Sequence, residues 1–338
     1  MPFIPRITAR NGFSWLGHGR SGGMSASHAS LVTSGGVPIQ LSHLEKVFFP
    51  EDGLRKGDLV DYYRLVATRM IPYLRERPVV LGRYPDGVTG EQILQKNVSP
   101  HFPDWIRRVE VPRRGRGGAV CQVVCDKPAT LLYLANQACI ELHMLLSRVA
   151  ALDRPDQLVF DLDPPAEEGF DLARRCALDL RRLLEDDLGL TTYVKTTGGK
   201  GLHVHVPLRA EEEFDPVREF AREVAELMVR DDPDHRTLQQ RVEQRGNRIY
   251  LDIQRNGYAQ MAVAPYSVRA RPVAPVATPL HWAEVEDAQL NPRWFTMRTI
   301  GDRLANTPDP WAGMSRHRHG LNAARRRLRS VADDRKGG

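Results

Sequence analysis

Across residues 56–76 the apolar side chains Leu59, Tyr62, Tyr63, Val66, Met70 and Leu74 recur every three or four positions, and Pro78 follows shortly after. That period marks one face of an α-helix, and proline stops it. The same spacing predicts helices over residues 129–146, 170–188 and 216–229. Between them lie short runs rich in β-branched and aromatic residues, at 79–81, 158–160, 192–194, 203–206 and 249–253, which read as strands. Helices and strands do not alternate strictly, and a long helical stretch precedes the second clear strand. The expected class is therefore α+β rather than a doubly wound sheet.

The two ends differ from this pattern. Residues 1–36 repeat Gly, Ser and His without a sustained apolar period and read as a flexible leader, with structure beginning near Val37. Residues 37–312 carry the periodic segments, and 313–338 form a basic C-terminal tail in which 323–329 suit a short helix or a solvated segment. With 338 residues and 41% apolar content, the chain can bury a substantial core. It holds no apolar run of the roughly 18 to 20 residues that span a bilayer, nor the order of a secretory signal, so a cytoplasmic protein that avoids membranes is expected. Its four cysteines include one C-x3-C pair with no second pair at metal spacing, which points to packing thiols rather than zinc. The net charge of +6 comes almost wholly from arginine, whose planar fork suits phosphate, so nucleic acid or nucleotide is the class of partner to test.

Three segments carry candidate chemistry. At 158–165 an apolar strand runs into Asp161-Leu162-Asp163-Pro164-Pro165, and residues two apart share a strand face. Two adjacent carboxylates repel unless a cation or a proton intervenes, and hard ions such as Mg2+ or Mn2+ take oxygen ligands. Alone, this is also what a solvated strand edge looks like. At 195–206 the run Lys195-Thr196-Thr197-Gly198-Gly199-Lys200-Gly201-Leu202-His203 sets a glycine-rich turn between two strands. Its N–H groups can face anionic oxygens, Thr197 adds a hydroxyl and Lys200 a charge, although a plain hairpin would read alike and the Walker A spacing is absent. His203 and His205 share one strand face. At 248–256 Asp252 stands within an apolar strand, followed by Gln254, Arg255 and Asn256. A third carboxylate beside the pair would complete an oxygen cage for two ions about 3.5 to 4 Å apart, the arrangement used for in-line phosphoryl displacement.

With these motifs the chain resembles the archaeo-eukaryotic primase superfamily, and within it the polymerase domain of bacterial ligase D and its stand-alone Prim-Pol relatives. The likeness covers roughly residues 37–312 and includes Leu44 to Pro50, Arg77-Pro78 through Gly87, Ala135-Asn136-Gln137 through His143, the D-x-D-P run, the Gly-Leu-His run and Val263 to Arg271. It implies an RRM-like catalytic sheet joined to a second small α/β layer. It also implies template-dependent nucleotidyl transfer, with Asp161, Asp163 and Asp252 as the catalytic and metal-binding triad for two divalent cations, Mn2+ or Mg2+. Thr197, Gly198, Lys200 and His203 match the family's nucleotide-phosphate loop, His143 matches a histidine near the incoming nucleotide, and Arg83, Arg245, Gln260 and Arg269 are further nucleotide contacts. Lys46 and Lys56 match a basic pair that grips a 5′-phosphate across a gap or break.

Two departures stand out. Thr197 replaces the usual Ser, which keeps the hydroxyl, whereas Ile93 and Leu94 stand on the template side where relatives commonly have aromatic residues, so stacking on bases is lost. No ligase or nuclease module is legible. The resemblance is therefore to the stand-alone branch, with short-gap filling in excision repair as the expected role and end-joining synthesis with Ku and a DNA ligase as the alternative. A metal-dependent nuclease and a non-catalytic DNA-gap binder are the other readings. The expected partners are gapped or broken double-stranded DNA bearing a 5′-phosphate and an rNTP or dNTP; the chain is expected to act as a monomer, in the cytoplasm at the nucleoid.

Overall fold

The computed structural model describes residues 30–335 apart from 116, 167 and 168, so most of the expected leader, residues 1–29, lies outside the described residues. Its last part does not. β1 (Ser30–Ser34) pairs antiparallel with β2 (Val37–Leu41) through Gly35 and Gly36, at φ 56° and 79°. Two successive positive φ angles define a tight hairpin turn that glycine adopts without steric cost. Residues 30–36, expected to be flexible, are thus a strand and a turn.

β3 (Val47–Phe49) and β4 (Leu54–Arg55) form a second hairpin leading into α1 (Lys56–Leu74), which buries Leu59, Tyr63, Val66, Met70 and Leu74 as its period predicts. β5 (Pro78–Arg83), β6 (Ile93–Gln95), β7 (Arg108–Pro112), β8 (Ala119–Val124), α2 (Pro128–Asn136) and β9 (Cys139–Leu145) follow. The helix predicted over 129–146 is therefore two elements. After α2, Ala138 takes φ 61° and the chain enters a strand lying between β5 and β17 (Met261–Val263). Leu131, Leu134, Ala138, Leu142 and Leu145 keep the three-to-four spacing across the boundary and no glycine or proline marks it, so the alternation of Glu141 and His143 with apolar neighbours in the strand is masked by the helical period. His143, read in a helical pattern, is consequently a strand residue.

A short hairpin, β10 (Ser147–Arg148) with β11 (Ala151–Pro155), then leads to β12 (Gln157–Asp163), α3 (Phe170–Arg182), β13 (Tyr193–Thr196), β14 (Leu202–Pro207), α4 (Phe214–Asp231), β15 (Arg236–Thr237) and β16 (Ile249–Asp252). After β17 come β18 (Pro279–Leu280), α5 (Trp282–Glu286), α6 (Ile300–Asn306) and α7 (Asn322–Asp334). Two large sheets result, of order β17-β9-β5-β8-β7 with β6 on β5, and β15-β16-β12-β14-β13-β18. This is the α+β architecture that the element order implied. α1 and α2 pack on the first sheet around Tyr63, Val66, Leu131 and Leu142, and α3 and α4 pack on the second around Phe160, Leu180, Val204 and Phe220. Of the two forms expected for 323–329, the chain adopts the helix: Ala324 and Leu328 of α7 enter the second core, while Arg325 pairs with Glu212.

Within β12 the alternation assigns faces. Leu158, Phe160 and Leu162 join the core under α3 and α4, which leaves Val159, Asp161 and Asp163 on the opposite face. Two buried polar contacts tie the sheets together. Arg77, just before β5, pairs with Asp156, just before β12, at 2.6 Å, and Asp156 also takes Arg148 at 2.6 Å. On the other side Arg269 bonds Glu141 of β9 at 2.9 Å and the carbonyl of Thr197 at 3.0 Å.

Candidate active site

Strand register builds the site. Asp161 is the Cα partner of His203 on one side and of Asp252 on the other, and His203 is in turn the partner of Lys195. Lys195, His203, Asp161 and Asp252 therefore form one row across four neighbouring strands, with Asp163 two residues along on the same face. Asp161 is buried, and its Oδ2 lies 3.3 Å from His203 Nε2 and 3.2 Å from Arg255 Nε. Arg255 Nε is also 3.7 Å from Asp252 Oδ2, so one guanidinium bridges the two partner carboxylates. Asp163 is held by Arg245 at 3.1 Å and Lys200 at 3.3 Å.

These neighbours decide the charges. Burial opposes ionisation of Asp161, but His203 and Arg255 outweigh it and hold the carboxyl well below its usual range. Asp252 moves the other way, pushed up by burial and the nearby Asp161 charge despite the Gln254 amide that donates to it at 2.8 Å. Burial brings His203 down to about 4, so it is neutral at neutral pH.

Among the described residues, no three His, Cys, Asp or Glu side chains converge tightly enough to hold an ion. The carboxylates turn instead towards Arg255, Arg245 and Lys200. Their donor chemistry nevertheless fits a hard divalent cation: three carboxylates share one sheet face, and a guanidinium stands between two of them where positive charge is required.

The glycine-rich turn packs directly against this row. Thr197 Oγ1 accepts from Gly199 N at 3.2 Å and donates to Gly201 O at 3.1 Å, so the hydroxyl closes the loop on itself. Gly198 has φ 66°, and a Cβ there would lie 2.8 Å from Arg269 Cγ; a Cβ on Gly201 would collide with the carbonyl oxygen of Leu162 in β12. The sequence requires glycine at both because side chains of Arg269 and backbone of β12 already fill the space.

His143 faces Glu141, 3.2 Å from its Oε2, and Glu141 also receives Arg269 and the Ala270 amide. Burial opposes the charge of Glu141, yet His143 and Arg269 bring its carboxyl down to about 2. His143, Arg269 and the Thr197 loop are thus brought together, as are Arg245, Lys200 and the triad. Arg83 is tied elsewhere, donating to Gln137 O and Gln95 Oε1 at 2.9 Å, and Gln260 is exposed in the turn before β17. Neither touches the triad. Lys46 and Lys56 are adjacent across the β3–β4 hairpin, where Lys56 N donates to Lys46 O; Lys46 pairs with Asp86 at 2.8 Å and the buried Lys56 donates to Ser42 O at 2.6 Å. Ile93 and Leu94 are exposed on β6. Sequence reading assigned no role to Arg255, Glu141 or Lys195. Arg255 had a signal, a basic residue three positions after Asp252, whereas Glu141 was hidden by the helical reading of β9.

A family model described as "LigD, primase-polymerase domain" matches residues 55–311. The chain is 32% identical over 274 residues, 81% of its length, to the bifunctional non-homologous end joining protein LigD of Bacillus subtilis, covering 43% of that protein. It is 32% identical over 79% of its length to the multifunctional non-homologous end joining protein LigD of Mycolicibacterium smegmatis, covering 34% of it. The chain thus spans less than half the length of these curated relatives. Its structure is similar to the polymerase domain of Mycobacterium tuberculosis ligase D in complex with DNA, with a TM-score of 0.75 and 29% identity over 83% of this chain and 99% of that one.

Proposed function

Because the chain belongs to the LigD primase-polymerase family, whose chemistry is nucleotidyl transfer, we propose that it extends DNA 3′ ends across short gaps at double-strand breaks. The observation that carries the reading is the row of Asp161 and Asp252 beside Asp163, closed on one side by the Thr197–Gly201 turn. A nuclease needs the carboxylates alone, whereas transfer from a triphosphate also uses a basic, glycine-rich turn beside them. End joining is favoured over the excision-repair role expected from the sequence, because the similar proteins are themselves described as end-joining proteins. The substrates in this reading are broken or gapped DNA and a ribo- or deoxyribonucleoside triphosphate, with a ligase and Ku as partners.

Asp161, Asp163 and Asp252 would hold two Mg2+ or Mn2+ ions, which when bound activate the primer 3′-hydroxyl and offset charge on the transferring phosphate. The chain's own groups do the rest. His203 orients Asp161 through their 3.3 Å contact, and Arg255 screens the Asp161–Asp252 repulsion. Lys200 and Arg245 lie against Asp163, from where a triphosphate can recruit them as counter-charges. The Thr197–Gly201 turn and Arg269, whose guanidinium reaches the Thr197 carbonyl, form the side from which phosphate oxygens would be met. Lys46 and Lys56 bind the 5′-phosphate, and Ile93 and Leu94 wedge against the template.

Extension of a labelled primer across a one-to-three-nucleotide gap tests this, with rNTPs or dNTPs, Mg2+ or Mn2+, and with or without a downstream 5′-phosphate. Added nucleotides are expected, and Asp161→Ala should reduce incorporation by at least about 100-fold with DNA binding retained. Absence of extension in every arm overturns the polymerase reading.

A further inference from the structure

Behind the carboxylate row lie three buried polar atoms without hydrogen-bond partners: Lys195 Nζ, His203 Nδ1 and His205 Nε2. Their residues are 0%, 2% and 0% exposed. Buried polar atoms are almost always hydrogen-bonded, so three unpartnered ones on adjacent residues of one sheet face call for an explanation. Lys195 stands directly opposite His203 in the β13–β14 register and diagonal to His205, which is opposite Tyr193. All three share one face, and the two imidazole centroids are 5.7 Å apart. The Lys195 charge acts on both rings.

The partners on the far side of each ring fix what the bare nitrogens are. His203 Nε2 points at Asp161 Oδ2, an acceptor, and His205 Nδ1 points at Gln157 Oε1, at 3.0 Å. Each ring therefore donates outward, and its remaining nitrogen is an acceptor. A single water has two hydrogens to donate and can accept from an amine N–H, which satisfies all three atoms whether Lys195 is an ammonium or an amine.

We infer that Lys195 is a positioning residue for the carboxylate site, binding a buried water that donates to His203 Nδ1 and His205 Nε2 and so holds His203 as the Nε2–H tautomer aimed at Asp161. The inference deepens the proposed polymerase reading and rests on it for its kinetic consequence. Without that water, His203 can carry its proton on Nδ1, which places a lone pair against the Asp161 carboxylate and turns that oxygen away from the reacting centre. The Lys195 amine itself makes no hydrogen bond to the carboxylates. Burial pushes its proton affinity well below the ordinary lysine range, which suits an interior amine hydrogen-bonded to water.

Long-range proton–nitrogen correlation spectra of the full chain labelled with 15N-histidine, without metal or nucleotide, test the tautomer directly, with His203→Gln and His205→Gln used for assignment. Wild-type His203 is expected to be protonated on Nε2 with Nδ1 in the range of a hydrogen-bonded acceptor. Lys195→Met should give mixed tautomers and lower kcat for nucleotide addition about tenfold, with KM for the nucleotide within about twofold. Lys195→Gln, whose amide N–H can still donate to the water, should recover most of both. An Nδ1-protonated His203 in the wild type overturns the inference, as does a folded Lys195→Met protein with wild-type spectra and wild-type kcat. Where Lys195→Met does not fold, a wild-type His203 protonated on Nδ1 still overturns the inference, and Lys195→Gln carries the comparison. Because the wild-type spectrum is read without turnover, it also separates failure of this inference from failure of the polymerase reading.

Discussion

Lys56 shows how far the environment of one side chain alters what its sequence position suggests. It reads as a surface charge suited to a phosphate, yet it is buried and donates to the Ser42 carbonyl, and burial brings its ammonium from the ordinary 10.5 down to about 8. Lys46, close by and exposed, keeps an ordinary surface pairing with Asp86. Because the folded pKa is depressed, the unfolded chain binds the extra proton between about 8 and 10.5, so this group makes stability rise with pH across that window. Its effect on DNA runs oppositely, since the positive charge is lost as pH rises through 8. Preference for a gap with a downstream 5′-phosphate over one without should therefore decline between pH 7 and 9, measured as the ratio of dissociation constants. Lys56→Arg, charged throughout, should flatten that decline; an identical pH profile for Lys56→Arg would remove Lys56 from the phosphate contact.

The element that limits the site is the turn between β13 and β14. Thr197 holds it closed through Gly199 and Gly201, and the turn abuts β12 so closely that Gly201 has no space for a side chain beside the Leu162 carbonyl. Leu162 lies between Asp161 and Asp163, so pressure at this point moves both carboxylates at once. Gly201→Ala should reduce nucleotide addition by about 100-fold, the loss expected from an ångström-scale displacement, while circular dichroism shows the sheets retained. A fully active Gly201→Ala enzyme would mean that the turn can retreat from β12 without cost. Elements were legible in unequal measure. α1 and the strands at 158–160 and 203–206 were plain from their periods, because each has a face that differs from its other face or a clear terminator. β9 was not, since its apolar residues continue the three-to-four spacing of α2 with no glycine or proline between the two elements.

At the scale of the whole molecule, two sheets with separate cores must be held in a fixed relation for the site between them to exist. The contacts responsible are buried and polar. Glu141 and Arg269 link β9 to the Thr197 turn, and Arg77 with Arg148 grips Asp156 at the start of β12. Arg77 is 1% exposed, so removing its counter-charge leaves a cation buried without compensation. Asp156→Ala should cost about 3–5 kcal/mol in urea unfolding, more than a surface ion pair could contribute. A change below about 1 kcal/mol would show that the sheets are docked by apolar contact alone.

The sequence by itself determined which residue types could do the chemistry: Asp161, Asp163 and Asp252 on apolar strands, the glycines of the turn, and the family to which their order belongs. It could do so because strand alternation and turn chemistry are local, acting over two to four residues. Only the tertiary structure decided that Asp161, Asp252, His203 and Lys195 stand in one row, that Arg255 bridges two of the acids, and that Glu141 meets Arg269 across 128 positions of chain. Those relations depend on strand order and register, which are fixed by how the two cores fill their volume and not by any neighbour in sequence.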